Sequence, residues 1–389
     1  MIPDRYENGR IYQFNFPTLI RFGCGVWREI APFLKEEGLS RVLLVTDPIV
    51  GELEFFHRIR DSIESTGIAS VVWKDIHKNP VKSDVLRGRQ AYVDGECEGI
   101  VGVGGGAALD VARAVALAVH HTRDLFDYDD LKGGERFVTE PIPPFYTVPT
   151  TAGTGSEVGR SAIISEDETH RKRILFSPRL MARRVFADPT LTYDLPPGPT
   201  AATGMDALTH NMEAFLARNF HPICDGVALE GMALIVENIR TAVEEPRNEK
   251  ARALMLLGSM MGAIAFQKGL GVVHSLSHPL STLVDMHHGL ANAINLPVGM
   301  GFNRTYCTEK FDRMAQRLGL PSGEHIPDFL RSLNASIGIP PSLGDTGVPE
   351  KLIPALVDLA VQDFAHPNNP VPVSREDFER LYAQAFGMR

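Results

Sequence analysis

Asp206 and His210 form a pair whose residue types and spacing could hold a divalent metal ion. Residues four apart on a helix share one face, so the carboxylate and the imidazole project side by side, with Glu213 one turn further on. The apolar side chains of the same stretch fall on a different stripe, which predicts the buried face; they are Met205, Leu208, Met212 and Phe215. An ordinary surface hydrogen bond would also explain an isolated pair of this kind.

Further histidines follow in the same half of the chain. His274 and His278 repeat the four-residue step, and His287 and His288 come shortly after them. Alone, His278 is also explained as a core histidine or a helix cap, because a proline follows it. Together, the clusters on consecutive predicted elements can converge on one ion. Imidazole nitrogen and carboxylate oxygen suit Fe²⁺, Zn²⁺ or Mn²⁺ without selecting among them.

The composition fits a globular enzyme with more than one domain. The chain has 389 residues, enough for two domains with proper cores. Hydrophobic residues make up 44% and charged residues 22%, which is ordinary for a globular protein in water. The formal net charge of -9 argues against a nucleic-acid partner.

The expected location is a reducing cytoplasm, without a membrane partner. No apolar run approaches the ~18–20 residues of a membrane span, and the polar N-terminus lacks the apolar segment of a signal peptide. The 4 cysteines are far apart and form no Cys-x-x-Cys pair. Any metal site must therefore be built from histidine and carboxylate.

Predicted strands alternate with predicted helices in the first half of the chain. The strands include residues 41–46, 99–103 and 145–149, and residues 11–22 predict a β-hairpin. Strands that alternate with helices predict a doubly wound parallel sheet. From Thr200 the periodicity is helical. We therefore predict an α/β domain over residues 1–187 and an all-helical domain over residues 188–389.

A glycine-rich loop between a strand and a helix suggests a dinucleotide site. Gly104, Gly105 and Gly106 match the dinucleotide fingerprint, in which the bare backbone at a helix N-terminus attracts a pyrophosphate. A tight strand-to-helix turn would explain the same glycines. Asp47, at the end of an earlier strand, is a candidate for the adenosine ribose and would favour NAD over NADP. A strand-end turn at Asp47-Pro48 explains that residue equally well.

Four motifs are distributed along the chain. They are Gly104-Gly-Gly-Ala-Ala-Leu-Asp110; Pro149-Thr-Thr-Ala-Gly-Thr-Gly-Ser-Glu157; Thr200-Ala-Ala-Thr-Gly-Met-Asp-Ala-Leu-Thr-His210; and Gly271-Val-Val-His274-Ser-Leu-Ser-His278-Pro-Leu280 with His288-Gly-Leu-Ala-Asn292-Ala293. With these motifs the chain resembles the iron-containing (group III) alcohol dehydrogenases over essentially its full length. The resemblance implies a Rossmann-like N-terminal domain and an all-α C-terminal domain, the two-domain architecture also seen in dehydroquinate synthases. It places the active site in the cleft between them.

The resemblance also implies an activity and a set of site residues. The activity is interconversion of a small primary alcohol and its aldehyde with NAD and a divalent metal, Fe²⁺ above the others, in a homodimer or higher homo-oligomer. The implied metal ligands are Asp206, His210, His274 and His288, and the residue beside the nicotinamide that would relay the proton is His278. The implied cofactor-binding residues are Asp47, Gly104, Gly105, Gly106, Asp110, Thr150, Thr151 and Thr154.

Finer features resemble the 4-hydroxybutyrate dehydrogenases of that family. Residues 265–271 and the His287–His288 pair carry this likeness, and His287 could compete with His288 or tune it. Arg160 and Lys268 could supply positive charge to a substrate carboxylate. Contact with solvent or with a surface acid would explain either side chain as well.

Three other functions fit parts of the pattern. A general short-chain alcohol or diol dehydrogenase would need no carboxylate pocket. A dehydroquinate-synthase-like lyase would also use NAD and a metal. Its phosphorylated sugar substrate would require many Lys and Arg side chains near the metal, and residues 200–290 offer few. The complete ligand set argues against a metal- or nucleotide-binding protein without turnover, because loss of activity is usually accompanied by loss of a ligand.

Overall fold

The computed structural model describes Phe16 and residues 18–388, and this part of the chain divides into two compact units. Residues 18–151 and 155–194 form an α/β unit. Residues 195–388, with Phe16 and the short segment Ala152–Thr154, form a helical unit. The predicted fold class, an α/β Rossmann-like part followed by a helical part, is confirmed. The chain passes between the units after Asp194.

The α/β unit contains a six-stranded parallel sheet and a separate two-stranded antiparallel sheet. The strands are β1 (Leu19–Phe22), β2 (Arg41–Val45), β3 (Ala69–Trp73), β4 (Gly99–Gly104), β5 (Phe145–Pro149), β6 (Ser161–Ser165), β7 (Lys172–Phe176) and β8 (Arg184–Ala187). The order in the large sheet is β1-β8-β5-β4-β2-β3, and β6 pairs with β7. The helices of this unit are α1 (Ile30–Glu36), α2 (Glu54–Ser65), α3 (Lys82–Asp94) and α4 (Gly106–His120).

The central strands β2, β4 and β5 of the large sheet are buried on both faces, which is why they are mostly apolar. Along β2, Val42 and Leu44 pack into one core with residues of α1 and α2. Leu43 and Val45 pack into a second core with residues of α3 and α4. Successive side chains of a strand point to opposite faces, so a strand covered on both sides needs apolar residues at every position.

The predicted N-terminal hairpin is wrong in the part that the structure describes. Leu19–Phe22 pairs in parallel with Arg184–Ala187 and not with a neighbouring antiparallel strand. Residues 11–15 and 17 of the predicted hairpin lie outside the described residues. Alternating polarity predicts a strand but does not specify its partner, and here the partner comes from the end of the same unit.

The helical unit is built around its first helix. Its helices are α5 (Pro197–Leu216), α6 (Pro222–Glu244), α7 (Glu249–Ala265), α8 (Val272–Val284), α9 (His288–Arg304), α10 (Thr308–Arg317), α11 (Ile326–Ser336), α12 (Ile353–Ala360) and α13 (Arg375–Ala385). Helix α5 packs against α6, α7 and α9. It is consequently buried on nearly every side, including the face that carries Asp206 and His210.

Within the described residues, no single helix has the length and apolar character of a membrane span. Two consecutive helical segments, Glu249–Lys268 and Val272–Val284, meet the criteria of length and composition only when they are counted together. The chain bends by 106° between them.

A buried guanidinium ties together several loops of the α/β unit. Arg113 on α4 is fully buried, and its Nε donates to the carbonyl of Leu180 at 3.0 Å. Its Nη1 donates to Asp110 Oδ1 at 3.1 Å, to Ser156 Oγ at 2.8 Å and to the carbonyl of Ser161 at 2.7 Å. A planar guanidinium has five donors, so one side chain can satisfy several buried acceptors at once.

We predict that Glu157, beside this guanidinium, makes the protein less stable as the pH rises. Burial raises the pKa of Glu157 to about 7, and Arg113 only partly offsets that rise. Because the folded state favours the protonated acid, the free energy of unfolding falls as the pH rises through the folded pKa. Glu157→Gln should therefore gain stability over the wild type by about 2 kcal/mol between pH 5 and pH 8. Denaturant unfolding of both proteins at the two pH values measures this, and a constant difference would contradict it.

Candidate metal centre and cofactor loop

Four side chains of the helical unit bring one potential ligand atom each to a common point. These atoms, from Asp206, His210, His274 and His288, all lie within 4.8 Å of one another. Asp206 Oδ1 is 3.8 Å from His210 Nε2 and 3.6 Å from His288 Nε2. The structure therefore brings together the four residues for which the sequence predicts a metal role.

Local helix geometry explains half of the cluster. Asp206 and His210 lie one turn apart on α5, as their spacing predicts, and both are buried. Burial lowers the pKa of His210 to about 4, against the opposing charge of Asp206. The imidazole is therefore neutral at neutral pH, and its nitrogen lone pair is available to a cation.

The orientation of His274 depends on a carboxylate from α5. Glu213 Oε2 lies 2.6 Å from His274 Nδ1, and both side chains are buried. Glu213 Oε1 also accepts from the backbone N–H of Val273 at 2.7 Å, in the first turn of α8. The carboxylate thus caps a helix N-terminus, where negative charge is favourable. It also fixes the proton on Nδ1, so that Nε2 presents its lone pair to the cluster.

Helix α9 reaches the cluster through a close contact between backbones. A Cβ added to Gly289 would lie 2.3 Å from the carbonyl oxygen of Ala202 on α5, so only glycine fits there. This approach places His288, the first residue of α9, beside Asp206. The neighbouring His287 is the N-cap of α9 and accepts from the N–H of Leu290 at 3.4 Å. It lies outside the four-residue cluster, and its effect on His288 by competition or by tuning stays a prediction.

His278, the predicted proton relay, stands beside the cluster with its own carboxylate. Its ring is nearly parallel to that of His288, with centroids 5.3 Å apart. Its Nδ1 lies 2.7 Å from Asp363 Oδ2, while Ser275 Oγ donates to Asp363 Oδ1 at 2.6 Å. Burial alone would raise the pKa of Asp363, but the charge and hydrogen bonds of His278 and Ser275 outweigh it and hold the pKa below its usual value. The ionised carboxylate can therefore stabilise an imidazolium at His278.

The donor set suits a divalent metal ion. In a tetrahedral site with bonds of ~2.1 Å, ligand atoms lie about 3.4 Å apart. The 3.6 and 3.8 Å separations from Asp206 Oδ1 are close to that value. Three neutral imidazoles with one carboxylate would leave a divalent ion with a net charge of about +1. The residues thus fit the ion that the sequence implies.

The predicted cofactor residues of the α/β unit meet at the point where the strand order reverses. After β2 the chain moves outward to β3, then returns past β2 to β4 and continues away through β5. Ligands of doubly wound sheets bind at the carboxyl ends of the strands beside such a reversal. Asp47 follows β2 here, and its Oδ2 would lie 3.5 Å from a Cβ added to Gly104.

The glycine loop is shaped by the requirements of its backbone. Gly104 has φ +152, and an added Cβ would lie 2.7 Å from the Cβ of Ala108, so a side chain is excluded there. Gly105 is the N-cap of α4, and Gly106 is its first residue. Thr150 donates its N–H to the carbonyl of Gly104 at 3.0 Å. An added Cβ at Gly105 would lie 3.2 Å from Thr151 Oγ1, so both threonines border the loop. Thr154 belongs to the helical unit, and its cofactor role stays a prediction.

Asp110 is not available as a cofactor ligand, which corrects the sequence prediction. Its Oδ1 accepts from Ser156 Oγ at 2.5 Å and from Arg113 at 3.1 Å. Its Oδ2 accepts from the backbone N–H of Ile163 at 3.0 Å. The carboxylate therefore joins α4 to the loop before β6 and to β6 itself.

Lys268 is also not available to a substrate, for a similar reason. The side chain is buried, and its Nζ donates to Asp225 Oδ1 at 2.5 Å and to the carbonyl of Phe215 at 2.9 Å. Its ammonium thus caps the negative C-terminal end of α5. Arg160, in the α/β unit, is half-buried, with its guanidinium carbon 5.6 Å from the centroid of the Phe176 ring. Its role in substrate binding stays a prediction.

The comparisons with known proteins agree with this geometry. Residues 17–189 match the family described as "Iron-containing alcohol dehydrogenase", and residues 200–386 match "Fe-containing alcohol dehydrogenase family, C-terminal". The protein belongs to the iron-containing alcohol dehydrogenase family. It is an oxidoreductase of a family that works with NAD and a divalent metal.

Individual relatives cover nearly the whole of this alcohol dehydrogenase. A 4-hydroxybutyrate dehydrogenase of Cupriavidus necator is 37% identical over 90% of this chain and 93% of its own length. A crystal structure of a 1,3-propanediol oxidoreductase superposes with a TM-score of 0.92 at 32% identity, over 97% of this chain and 100% of that one. A sulfoacetaldehyde reductase of Bifidobacterium kashiwanohense in complex with NAD+ gives 0.88 at 28%, over 98% and 100%. The family assignment favours the dehydrogenase over the lyase and the non-catalytic alternatives.

We predict that Glu213→Gln weakens metal binding. A neutral amide would no longer polarise His274, and loss of such a partner typically costs 10–100-fold in metal affinity. Chelator competition with Zn²⁺ on the metal-stripped protein should give a Kd at least about 10-fold higher than the wild type's.

Glu230→Gln provides the matched control. Glu230 is an exposed carboxylate of the same unit that pairs with Arg317. This variant should keep the wild-type Kd. Equal Kd values for Glu213→Gln and the wild type would contradict the orienting role of Glu213.

Proposed function

We propose that the protein interconverts a primary alcohol and its aldehyde with NAD, and that its substrate is an ω-hydroxy acid such as 4-hydroxybutyrate. The convergence of Asp206, His210, His274 and His288 within 4.8 Å carries the proposal for the metal centre. The names of two relatives support an anionic substrate, because 4-hydroxybutyrate carries a carboxylate and sulfoacetaldehyde a sulfonate. The name of a third relative, a 1,3-propanediol oxidoreductase, supports an uncharged diol as the alternative.

The two predicted domains have separate roles in this proposal. Residues 1–187 bind NAD through Asp47, the glycine loop and the threonines after β5. Residues 188–389 bind the metal and carry the catalytic histidine.

None of the 4 cysteines, all of which lie in the described part of the chain, forms a disulfide. That agrees with action in a reducing cytoplasm.

The chain's own residues supply ligands, orientation and proton transfer. When bound, a divalent ion polarises the alcohol or aldehyde oxygen, and NAD exchanges the hydride. Asp206 is the one anion among the four ligands, which keeps the site positively charged toward that oxygen. His278 holds a proton at Nδ1 against Asp363 and takes the proton of the alcohol at Nε2. Asp363 stabilises the resulting imidazolium, and in aldehyde reduction the proton moves back.

The proposed substrate predicts a selective effect at Arg160. Metal-stripped protein reconstituted anaerobically with Fe²⁺ should produce NADH from 4-hydroxybutyrate and NAD at a lower KM than from the four-carbon diol. A charge-assisted hydrogen bond contributes ~1.5–3 kcal/mol, so Arg160→Gln should raise the KM for the acid about 10-fold or more. The KM for the diol should not change. NADH absorbance provides the measurement.

Arg171→Gln is the matched control, because Arg171 is an exposed arginine in the turn between β6 and β7. It should leave both KM values unchanged. A wild-type preference for the diol would refute the hydroxy-acid substrate and leave the enzyme class intact. Full activity in the metal-free protein, or no NADH from any alcohol with metal and NAD bound, would refute the mechanism itself.

A further inference from the structure

One buried amide touches most of the metal cluster. Asn292 Nδ2 lies 2.7 Å from Asp206 Oδ1, 3.1 Å from His288 Nε2 and 3.3 Å from His274 Nε2. Asn292 is fully buried on α9, one turn after His288, while Asp206 and His274 come from α5 and α8. A single side chain thus joins the three helices that supply all four ligands.

The chemistry of the three neighbours fixes the orientation of the amide. A carboxylate oxygen and the two imidazole nitrogens offer lone pairs, and Nδ2 is the donor end of the side chain. The opposite orientation would place Oδ1 2.7 Å from the anionic oxygen of Asp206, where the two would repel. With Nδ2 in this position, the lone pairs of three ligands are directed toward the amide nitrogen.

The donor end of the amide distinguishes Asn292 from the neighbouring buried Asn295. In the part of the chain that the structure describes, Oδ1 of both residues has no hydrogen-bond partner, but Asn292 directs its Nδ2 at ligands, whereas Asn295 donates to Ser277 Oγ. Burial of an incompletely bonded amide costs free energy. Shared interactions with the ligands provide a functional reason to keep the amide there.

We propose that Asn292 is a positioning residue of the metal centre, whose amide holds Asp206, His274 and His288 in a ligating arrangement before the ion arrives. The inference rests on the proposed metal-binding function. Its energetic consequence is preorganisation: the three ligands already face a common point, so the helices need not be repositioned when the ion replaces the amide as the partner of the two imidazoles. Once the two imidazoles bind the ion, an amide N–H remains for Asp206 and keeps that carboxylate oriented.

The test compares the metal affinity of the intact protein with two variants at this position. Asn292→Ala removes the donor and should raise the Kd for Zn²⁺, measured by chelator competition, about 10–100-fold. Asn292→Leu keeps a similar volume without a donor, so it should raise the Kd by about the same factor as Asn292→Ala. A wild-type Kd in Asn292→Leu would mean that packing alone is sufficient and would overturn the proposal.

Asn295→Ala is the matched control. Asn295 is fully buried on the same helix and donates to Ser277 Oγ at 3.2 Å, not to a ligand. It should change the Kd by less than about 3-fold, and an equal loss in Asn292→Ala and Asn295→Ala would also overturn the proposal. The wild-type titration separates this inference from the proposed function. If the wild type binds no Zn²⁺, the metal centre itself is refuted; if it binds one ion and Asn292→Ala binds it equally well, only the role of Asn292 fails.

Discussion

Four electron-pair donors must converge in the interior of the helical unit with one negative charge among them. Bringing polar groups out of water and next to one another is unfavourable unless hydrogen bonds or a cation satisfy them. The surrounding structure reduces this cost in several ways. Glu213 orients His274 while it caps α8, Gly289 lets α9 approach α5, and Asn292 directs its amide toward three of the ligands. The arrangement of the helices and the geometry of the site therefore depend on the same contacts.

The α/β unit meets a different requirement, which is to leave backbone groups accessible at the end of a buried strand. The positive φ of Gly104 and its closeness to Ala108 exclude a side chain from the loop before α4. On α4, Arg113 joins neighbouring segments of the unit through hydrogen bonds to the carbonyls of Leu180 and Ser161. A bare backbone at a helix N-terminus attracts a pyrophosphate, which is the role predicted for the glycine loop.

Short-range patterns in the sequence predicted much of the fold and one pair of residues within the metal cluster, Asp206 and His210. The four-residue step placed Asp206 and His210 on one face of a helix, and the continuous apolar run of β2 predicted a strand covered on both faces. The apolar stripe of α5 predicts one buried face, but the helix is buried on its polar face as well. Periodicity shows which side chains share a face, but not how many neighbouring helices cover that face.

The contacts that the sequence did not predict join residues far apart in the chain. Glu213 and His274 are 61 residues apart, and His278 and Asp363 are 85 apart, so no local spacing links them. The error at Lys268 has the same origin. A lysine near a predicted site suggested a free charge, but Asp225, 43 residues away, neutralises it inside the helical unit. Such partners become evident only when the helices are packed together.

The most direct test of the metal centre is an anomalous difference map, measured at the iron absorption edge on crystals reconstituted anaerobically with Fe²⁺. We expect one peak per chain, at about 2.0–2.3 Å from one atom each of Asp206, His210, His274 and His288. A peak at another position, or no peak in crystals of a preparation that still produces NADH, would refute the metal centre.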